Sequence, residues 1–126
     1  MIKALRWIGA LAYAGALTLL LLTPAPLVPR HLFWQADKVA HFFGLGLLGA
    51  VLVRAMTRPK AIMVPTYALA VVIGLGSVYA VSIEFLQGAM HRSRTFSVWD
   101  IFAGVLGILV LTLAWASLRI RWRLIR

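Results

Sequence analysis

VWDIFAGVLGILVLTLAWASL, residues 98–118, is a long and predominantly apolar segment of this chain. It contains a single charged side chain, Asp100, and about 20 consecutive apolar residues are enough for a helix to cross the hydrocarbon core of a bilayer. We therefore predict an all-α integral membrane protein, a four-helix bundle that forms one domain over all 126 residues. The other three predicted spans lie at about residues 4–22, 39–57 and 61–83.

Composition limits the classes of function. Hydrophobic residues make up 63% of the chain, and the connections between the apolar stretches are too short to hold a soluble domain. The absence of cysteine excludes disulfide bonds, thiolate metal sites and cysteine nucleophiles. We recognise no P-loop, dinucleotide-binding loop or zinc signature, and we expect neither a cofactor nor a metal. The first apolar stretch resembles a signal peptide, but Pro26 disfavours cleavage there, so we treat it as a span.

The basic residues predict the orientation of the bundle. With the N- and C-termini in the cytoplasm, nine Lys and Arg residues lie on the inner side and four on the outer side. This topology and attraction to anionic membrane lipids explain the net charge of +10, and we do not expect nucleic-acid binding. The inner residues are Lys3, Arg6, Arg54, Arg58, Lys60, Arg119, Arg121, Arg123 and Arg126, and the outer ones are Arg30, Lys38, Arg92 and Arg94.

The glycine and proline residues indicate where the predicted helices start and how they pack. Pro65 falls in the first turn of the predicted third helix, where proline is tolerated. Small residues within spans allow helices to approach closely. We expect this role for Gly44, Gly46, Gly49, Gly74, Gly76, Ser77, Gly104 and Gly107.

Only three acidic residues occur in the chain, Asp37, Glu84 and Asp100, and the predicted topology places all of them at the outer side. An acid near membrane depth is costly unless a cation, a proton or a helix N-terminus compensates it. Asp37 and His41 are four residues apart and share a helix face, where the acid can orient the imidazole as a general base or a ligand. The alternative is that Asp37 marks the N-terminus of its helix and His41 is an interfacial hydrogen-bonding residue.

Glu84 lies in the last turn of the predicted third span, where the helix dipole disfavours an anion. It therefore needs a cation or a proton, and Gln87 shares its helix face. A buried ion pair that only stabilises the fold is the alternative to a functional role. The candidate partners of Glu84 are Arg94, Arg92, Lys38 and His41.

The fourth span begins with Ser97-x-x-Asp100, the spacing of a helix-capping arrangement, and the basic residues Arg92 and Arg94 precede it. Because the second and fourth spans both start at the outer side, two positive helix ends are predicted there, beside Lys38. This combination predicts an outer-facing site for a phosphate or carboxylate group of a lipid or a lipid-linked envelope precursor. The predicted functional cluster is Asp37, Lys38, His41, Glu84, Gln87, Arg92, Arg94 and Asp100.

The motifs occur in a characteristic order: Asp37-Lys38-x-x-His41, Glu84-x-x-Gln87, then Arg94-Thr95-Phe96-Ser97 leading to Asp100 and Gly107. In this order, over about residues 36–110, the chain resembles the VanZ-like family. The resemblance implies a multi-pass protein of the bacterial cytoplasmic membrane with its polar cluster on the outer side. Every residue of the predicted cluster except Arg92 matches a position of the family's motifs, so the resemblance implies a functional role for these residues. The family's founding member is associated with resistance to teicoplanin-type glycopeptide antibiotics.

The chain departs from the VanZ-like pattern at two positions. Leu45 stands where the family often has an aromatic residue, and Gly104 stands where an Asn is common. Both positions lie deeper in the predicted spans than the cluster. We therefore do not expect a complete polar network at that depth.

Three functions remain open. The first is a non-enzymatic membrane protein that binds an anionic envelope lipid or a lipid-linked precursor, with an effect on glycopeptide susceptibility. The second is an intramembrane enzyme that acts on a lipid-linked substrate, with His41 and Asp37, or Glu84, as acid or base; no catalytic residue is assigned. The third is a small transporter or flippase, which would require a homo-oligomer because one four-helix bundle offers little room for a pathway.

Overall fold

The computed structural model describes residues 1–23, 30–90 and 95–125, with the backbone alone at residues 30–34. Within these residues there are four α-helices and no strands, and every helix contains a segment long and apolar enough to cross a membrane. The predicted all-α, multi-pass membrane fold is thus confirmed, whereas the side on which the termini lie stays a prediction. The helices are α1 (Ile2–Leu22), α2 (Arg30–Met56), α3 (Thr66–Ala89) and α4 (Val98–Leu124).

The helix limits differ from the predicted spans. α2 begins about two turns before Asp37, so this residue lies inside the helix and not at its N-terminus. α3 begins after Pro65, which is the N-cap residue and not part of the first turn. Proline has no N–H to donate and fits best where a helix starts. α4 continues through the arginine-rich segment to Leu124, since arginine is a good helix former.

The closest helix pair is α2 with α4, and α2 also contacts α1 and α3. At the crossing of α2 and α4, a Cβ atom on Gly107 would overlap the carbonyl group of Phe42. A Cβ atom on Gly46 would lie 2.7 Å from the carbonyl oxygen of Gly107. Glycine at these positions therefore sets the distance between α2 and α4, as predicted. Gly74 differs from that prediction, because a Cβ atom there would meet nothing within 4 Å.

Two apolar clusters fill the interior of the bundle. The cluster that includes Leu45, Ile83 and Ile108 lies next to the predicted functional residues, and the cluster around Val53 and Ala116 lies toward the chain termini. Large apolar side chains also cover much of the exterior, where lipid would solvate them. The apolar interior thus separates two polar ends of the bundle.

Candidate functional site

The polar residues that are buried at one end of the bundle form the candidate site. His41 and Glu84 are fully buried, Gln87 and Asp100 are nearly so, and Asp37 and Lys38 lie at the partly exposed rim. Buried charges are stable only when they are paired. The contacts of each side chain therefore indicate how the site is held together.

His41, on α2, lies at the centre of the site. Its Nδ1 atom is 2.9 Å from the carbonyl oxygen of Asp37, one turn earlier, and 3.7 Å from Asp37 Oδ1. Its Nε2 atom is 3.1 Å from Glu84 Oε1, although the two groups are not aligned as a good hydrogen bond. When a neutral imidazole donates from Nδ1 to the carbonyl, Nε2 carries the lone pair and faces the carboxylate. The imidazole and the carboxylate therefore face each other directly, and this contact joins α2 to α3.

Glu84, on α3, has a second contact at the start of α4. Its Oε2 atom accepts a hydrogen bond of 2.9 Å from the backbone N–H of Ser97, the N-cap residue of α4. The hydroxyl of Ser97 in turn accepts from the backbone N–H of Asp100 at 3.3 Å, which confirms the predicted capping arrangement. Among the four candidate partners of Glu84, His41 is the one that the described structure places beside it. One carboxylate thus joins α2, α3 and α4.

Lys38 and Asp100 form an ion pair between α2 and α4. The Lys38 Nζ atom lies 3.0 Å from Asp100 Oδ1, and the two side chains are 20% and 5% exposed. Asp100 is therefore buried while Lys38 keeps access to the surroundings. Through Lys38, this pair reaches the partly exposed rim of the site.

One predicted member of the cluster, Gln87, stands apart from this network. Gln87 is buried, but its side-chain amide donates to the carbonyl oxygen of Leu21, 2.6 Å away, and so ties α3 to the end of α1. Arg92 and Arg94 lie outside the described residues. The residues that the structure brings together are Asp37, Lys38, His41, Glu84 and Asp100.

The site also contains a donor set that suits a cation. Asp37, His41 and Asp100 each offer a ligand atom, and these atoms lie within 4.8 Å of one another. Two carboxylates and an imidazole are ligands that Zn²⁺ accepts. However, Lys38 Nζ already contacts Asp100 Oδ1, so an ion would have to use the other oxygen or displace the ammonium group. The contacts within the site are accounted for by an internal ion-pair network.

The electrostatics of the site differ from the sequence prediction in one respect. The predicted anion site used the positive N-termini of two helices, but the N-terminus of α2 lies about 10 Å along the helix from Asp37. That part of the prediction is wrong, and α4 alone begins at the site. Among the described residues of the site, three carboxylates outnumber the one ammonium group of Lys38.

A family model described as VanZ/LLP1 matches residues 5–119 of the chain. The chain belongs to the VanZ/LLP1 family. The match includes nearly all of the four helices and the whole candidate site, which is more of the chain than the predicted resemblance covered. No curated protein and no solved structure matches the chain in the corresponding comparisons.

The two departures from the VanZ-like pattern contact each other. A side chain at Gly104 would need space that Leu45 Cδ1 occupies, and Leu45 is fully buried. The layer beneath His41 in this VanZ/LLP1 protein is therefore apolar at these two positions. Sequence reasoning missed two partners of the site, the Ser97 N–H and the Leu21 carbonyl, because both are backbone groups.

Proposed function

We propose that this VanZ/LLP1 protein binds an anionic envelope lipid, or a lipid-linked envelope precursor, at the outer face of the bacterial cytoplasmic membrane. The observation that carries the proposal is the difference in burial between Lys38 and its acidic neighbours. Lys38 is 20% exposed at the rim, whereas Glu84 is fully buried and Asp100 nearly so. Asp100 therefore holds Lys38 in position at the rim, and neither Asp100 nor Glu84 itself faces a ligand.

The balance of charge supports a role for the arginines in the α3–α4 connection. The described site carries an excess of carboxylates, so an anion would be repelled unless further cations contribute. Arg92 and Arg94 belong to the connection that ends at Ser97, whose N–H binds Glu84. In this proposal the two arginines and Lys38 bind the phosphate or carboxylate of the ligand. Arg94 is also carried over by the family resemblance.

The experiment that tests the proposal is native mass spectrometry with lipid extraction on protein purified gently from its host. We would compare the wild type, Arg94→Ala and Arg58→Ala; the last variant removes the same charge at the opposite end of the bundle. We expect one specific anionic lipid or precursor on the wild type and on Arg58→Ala, and its loss from Arg94→Ala. If all three proteins carry the same bulk phospholipid, the proposal is wrong and the cluster is a structural network.

A second candidate function is an intramembrane enzyme that acts on a lipid-linked substrate. The contact of 3.1 Å between His41 Nε2 and Glu84 Oε1 favours it, because an imidazole beside a carboxylate can move a proton. His41 would act as base and Glu84 as its positioning partner. The complete burial of both groups means that a substrate must first open the site.

A measurement of substrate turnover distinguishes the two candidate functions. The protein would be incubated with total lipid extract from the host, and mass spectrometry would follow the substrates and products. Catalysis requires a product that the wild type forms and a folded His41→Gln variant does not. If the anionic ligand is retained without any product, binding alone is the function. Susceptibility of the host to a teicoplanin-type glycopeptide, with and without Arg94→Ala, would then show whether this binding affects resistance.

A further inference from the structure

At the end of the bundle opposite the candidate site, four arginines and two tryptophans line a cavity of about 430 Å³. Arg6 comes from α1 and Arg54 from α2, and the remaining polar lining comes from α4. The three acidic side chains of the chain all belong to the candidate site, so this cavity has no carboxylate side chain as a counter-charge. The α4 residues of the lining are Trp115, Leu118, Arg119, Trp122 and Arg123.

Backbone carbonyl groups hold several of these guanidinium groups in place. Arg119 Nη2 donates to the carbonyl oxygens of Arg58 at 2.9 Å and Ala61 at 2.7 Å, and Arg6 Nη1 donates to that of Thr57 at 3.2 Å. The Arg119 guanidinium also lies 5.4 Å from the centre of the Trp115 ring. These contacts fix the positions of the groups but leave their positive charge uncompensated. An anion in the cavity would relieve their mutual repulsion.

A second cavity, also of about 430 Å³, adjoins the first. It lies between α1 and α2 and is mainly apolar, and it shares Arg6 and Arg54 with the cationic cavity. A Cβ atom built on Gly9 would meet nothing within 4 Å, so the cavity has open space beside this residue. Its other lining residues are Ile2, Leu5, Tyr13 and Val51.

We propose that these joined cavities bind an anionic phospholipid. The phosphate lies among the four arginines, whose planar guanidinium groups suit phosphate oxygens, and one acyl chain lies along the apolar cavity between α1 and α2. The apolar cavity favours a lipid over a soluble phosphate ester, which has no chain to place there. The positive-inside rule puts this end at the cytoplasmic leaflet, where anionic lipids concentrate. The site is independent of the function proposed for the opposite end.

The charge of the headgroup site can be tested with two matched double variants of the full chain. Arg54→Gln with Arg123→Gln removes two cations from the cavity, and Arg58→Gln with Arg121→Gln removes two cations outside it at the same end. Native mass spectrometry would measure binding of dioleoyl phosphatidylglycerol and dioleoyl phosphatidylcholine. We expect the wild type to bind phosphatidylglycerol more tightly than phosphatidylcholine. The affinity for phosphatidylglycerol should fall about fivefold for each arginine lost from the cavity, whereas the control pair should keep the preference. Equal binding of the two lipids, or equal losses in the two pairs, would overturn the proposal.

The acyl-chain site has its own matched pair of variants, Gly9→Leu and Gly15→Leu. A Cβ atom meets nothing within 4 Å at either glycine, but only Gly9 lines the apolar cavity. Leucine is a better helix former than glycine, and circular dichroism would confirm that both variants fold. We expect Gly9→Leu to weaken phosphatidylglycerol binding at least threefold and Gly15→Leu to leave it unchanged. If both variants bind like the wild type and sn-glycerol 3-phosphate displaces the lipid, the site takes a soluble phosphate ester and the lipid proposal is wrong.

Discussion

At the candidate-site end, Lys38, His41 and the three acids contact one another, whereas at the opposite end Arg6, Arg119 and Arg123 donate to backbone carbonyls. At the first end Lys38 and His41 each lie beside carboxylates, whereas at the second end carbonyl groups only orient the guanidinium charges. Paired groups connect helices, while cations without a counter-charge attract an anionic ligand. We therefore expect the candidate-site end to contribute more to stability than the arginine-rich end.

The largest expected effect is that of Glu84→Ala, which removes the carboxylate that joins α2, α3 and α4. The substitution leaves the Ser97 N–H and His41 Nε2 without the carboxylate, in a fully buried site. We expect the free energy of unfolding to fall by about 3 kcal/mol, the usual cost of removing one partner of a buried pair. Denaturant unfolding in a mild detergent would measure it.

Ser82→Ala is the control for this change. Ser82 lies on α3 as Glu84 does, but it is exposed and its hydroxyl bonds only within its own helix, to the carbonyl oxygen of Val78. We expect a change of about 0.5 kcal/mol or less. Equal effects of the two substitutions would mean that the buried network does not hold the helices together.

The two ends depend on the same α2–α4 crossing, which Gly107→Ala should disturb. The added Cβ atom would overlap the carbonyl group of Phe42, and a backbone group cannot move aside as a side chain can. We expect a loss of about 2 kcal/mol, as for overpacking in a close-packed interior. The measurement is again unfolding in detergent.

Gly74→Ala, on α3, is the matched control for this change, since its Cβ atom would meet nothing within 4 Å. There the higher helix propensity of alanine should leave stability unchanged or raise it by about 0.5 kcal/mol. If Gly107→Ala behaves in the same way, the crossing is not the limiting contact between α2 and α4.

The sequence predicted much of this arrangement from the cost of burying charge. Glu84 needed a cation or a proton, and His41 was among the four partners considered for it. The cap at Ser97 followed from its spacing to Asp100. These inferences rest on the spacing of neighbouring residues or on the charge of one side chain that must be balanced. A single sequence contains both kinds of information.

Other features depended on how the helices cross. The pairing of Lys38 with Asp100 and of Gln87 with the Leu21 carbonyl requires the relative rotation of whole helices, which a sequence pattern does not specify. The start of α2 at Arg30 precedes the predicted span, which begins at about residue 39, because the polar residues Gln35, Asp37 and Lys38 interrupt the apolar pattern before it. Hydrophobicity marks where a span enters lipid, and a helix often begins before that point.

The smallest expected effect is that of Arg119→Lys, at the end of the bundle that contains the cationic cavity. Lysine keeps the charge but has no planar fork, so the hydrogen bonds from Nη2 to the carbonyls of Arg58, Pro59 and Ala61 would be lost. Because these groups lie near the surface, we expect a cost of about 1 kcal/mol. Hydrogen–deuterium exchange should rise in residues 57–65 and stay unchanged around Glu84.

Arg121→Lys, an exposed change on the same helix, should leave exchange at both ends as it is. Faster exchange around Glu84 in Arg119→Lys would show that the two ends are coupled. In that case, charge oriented by carbonyl groups at one end would also stabilise the ion pairs at the other. Exchange confined to residues 57–65 would instead mean that the guanidinium bonds order the α2–α3 connection locally, and that the cationic cavity keeps its charge for a ligand.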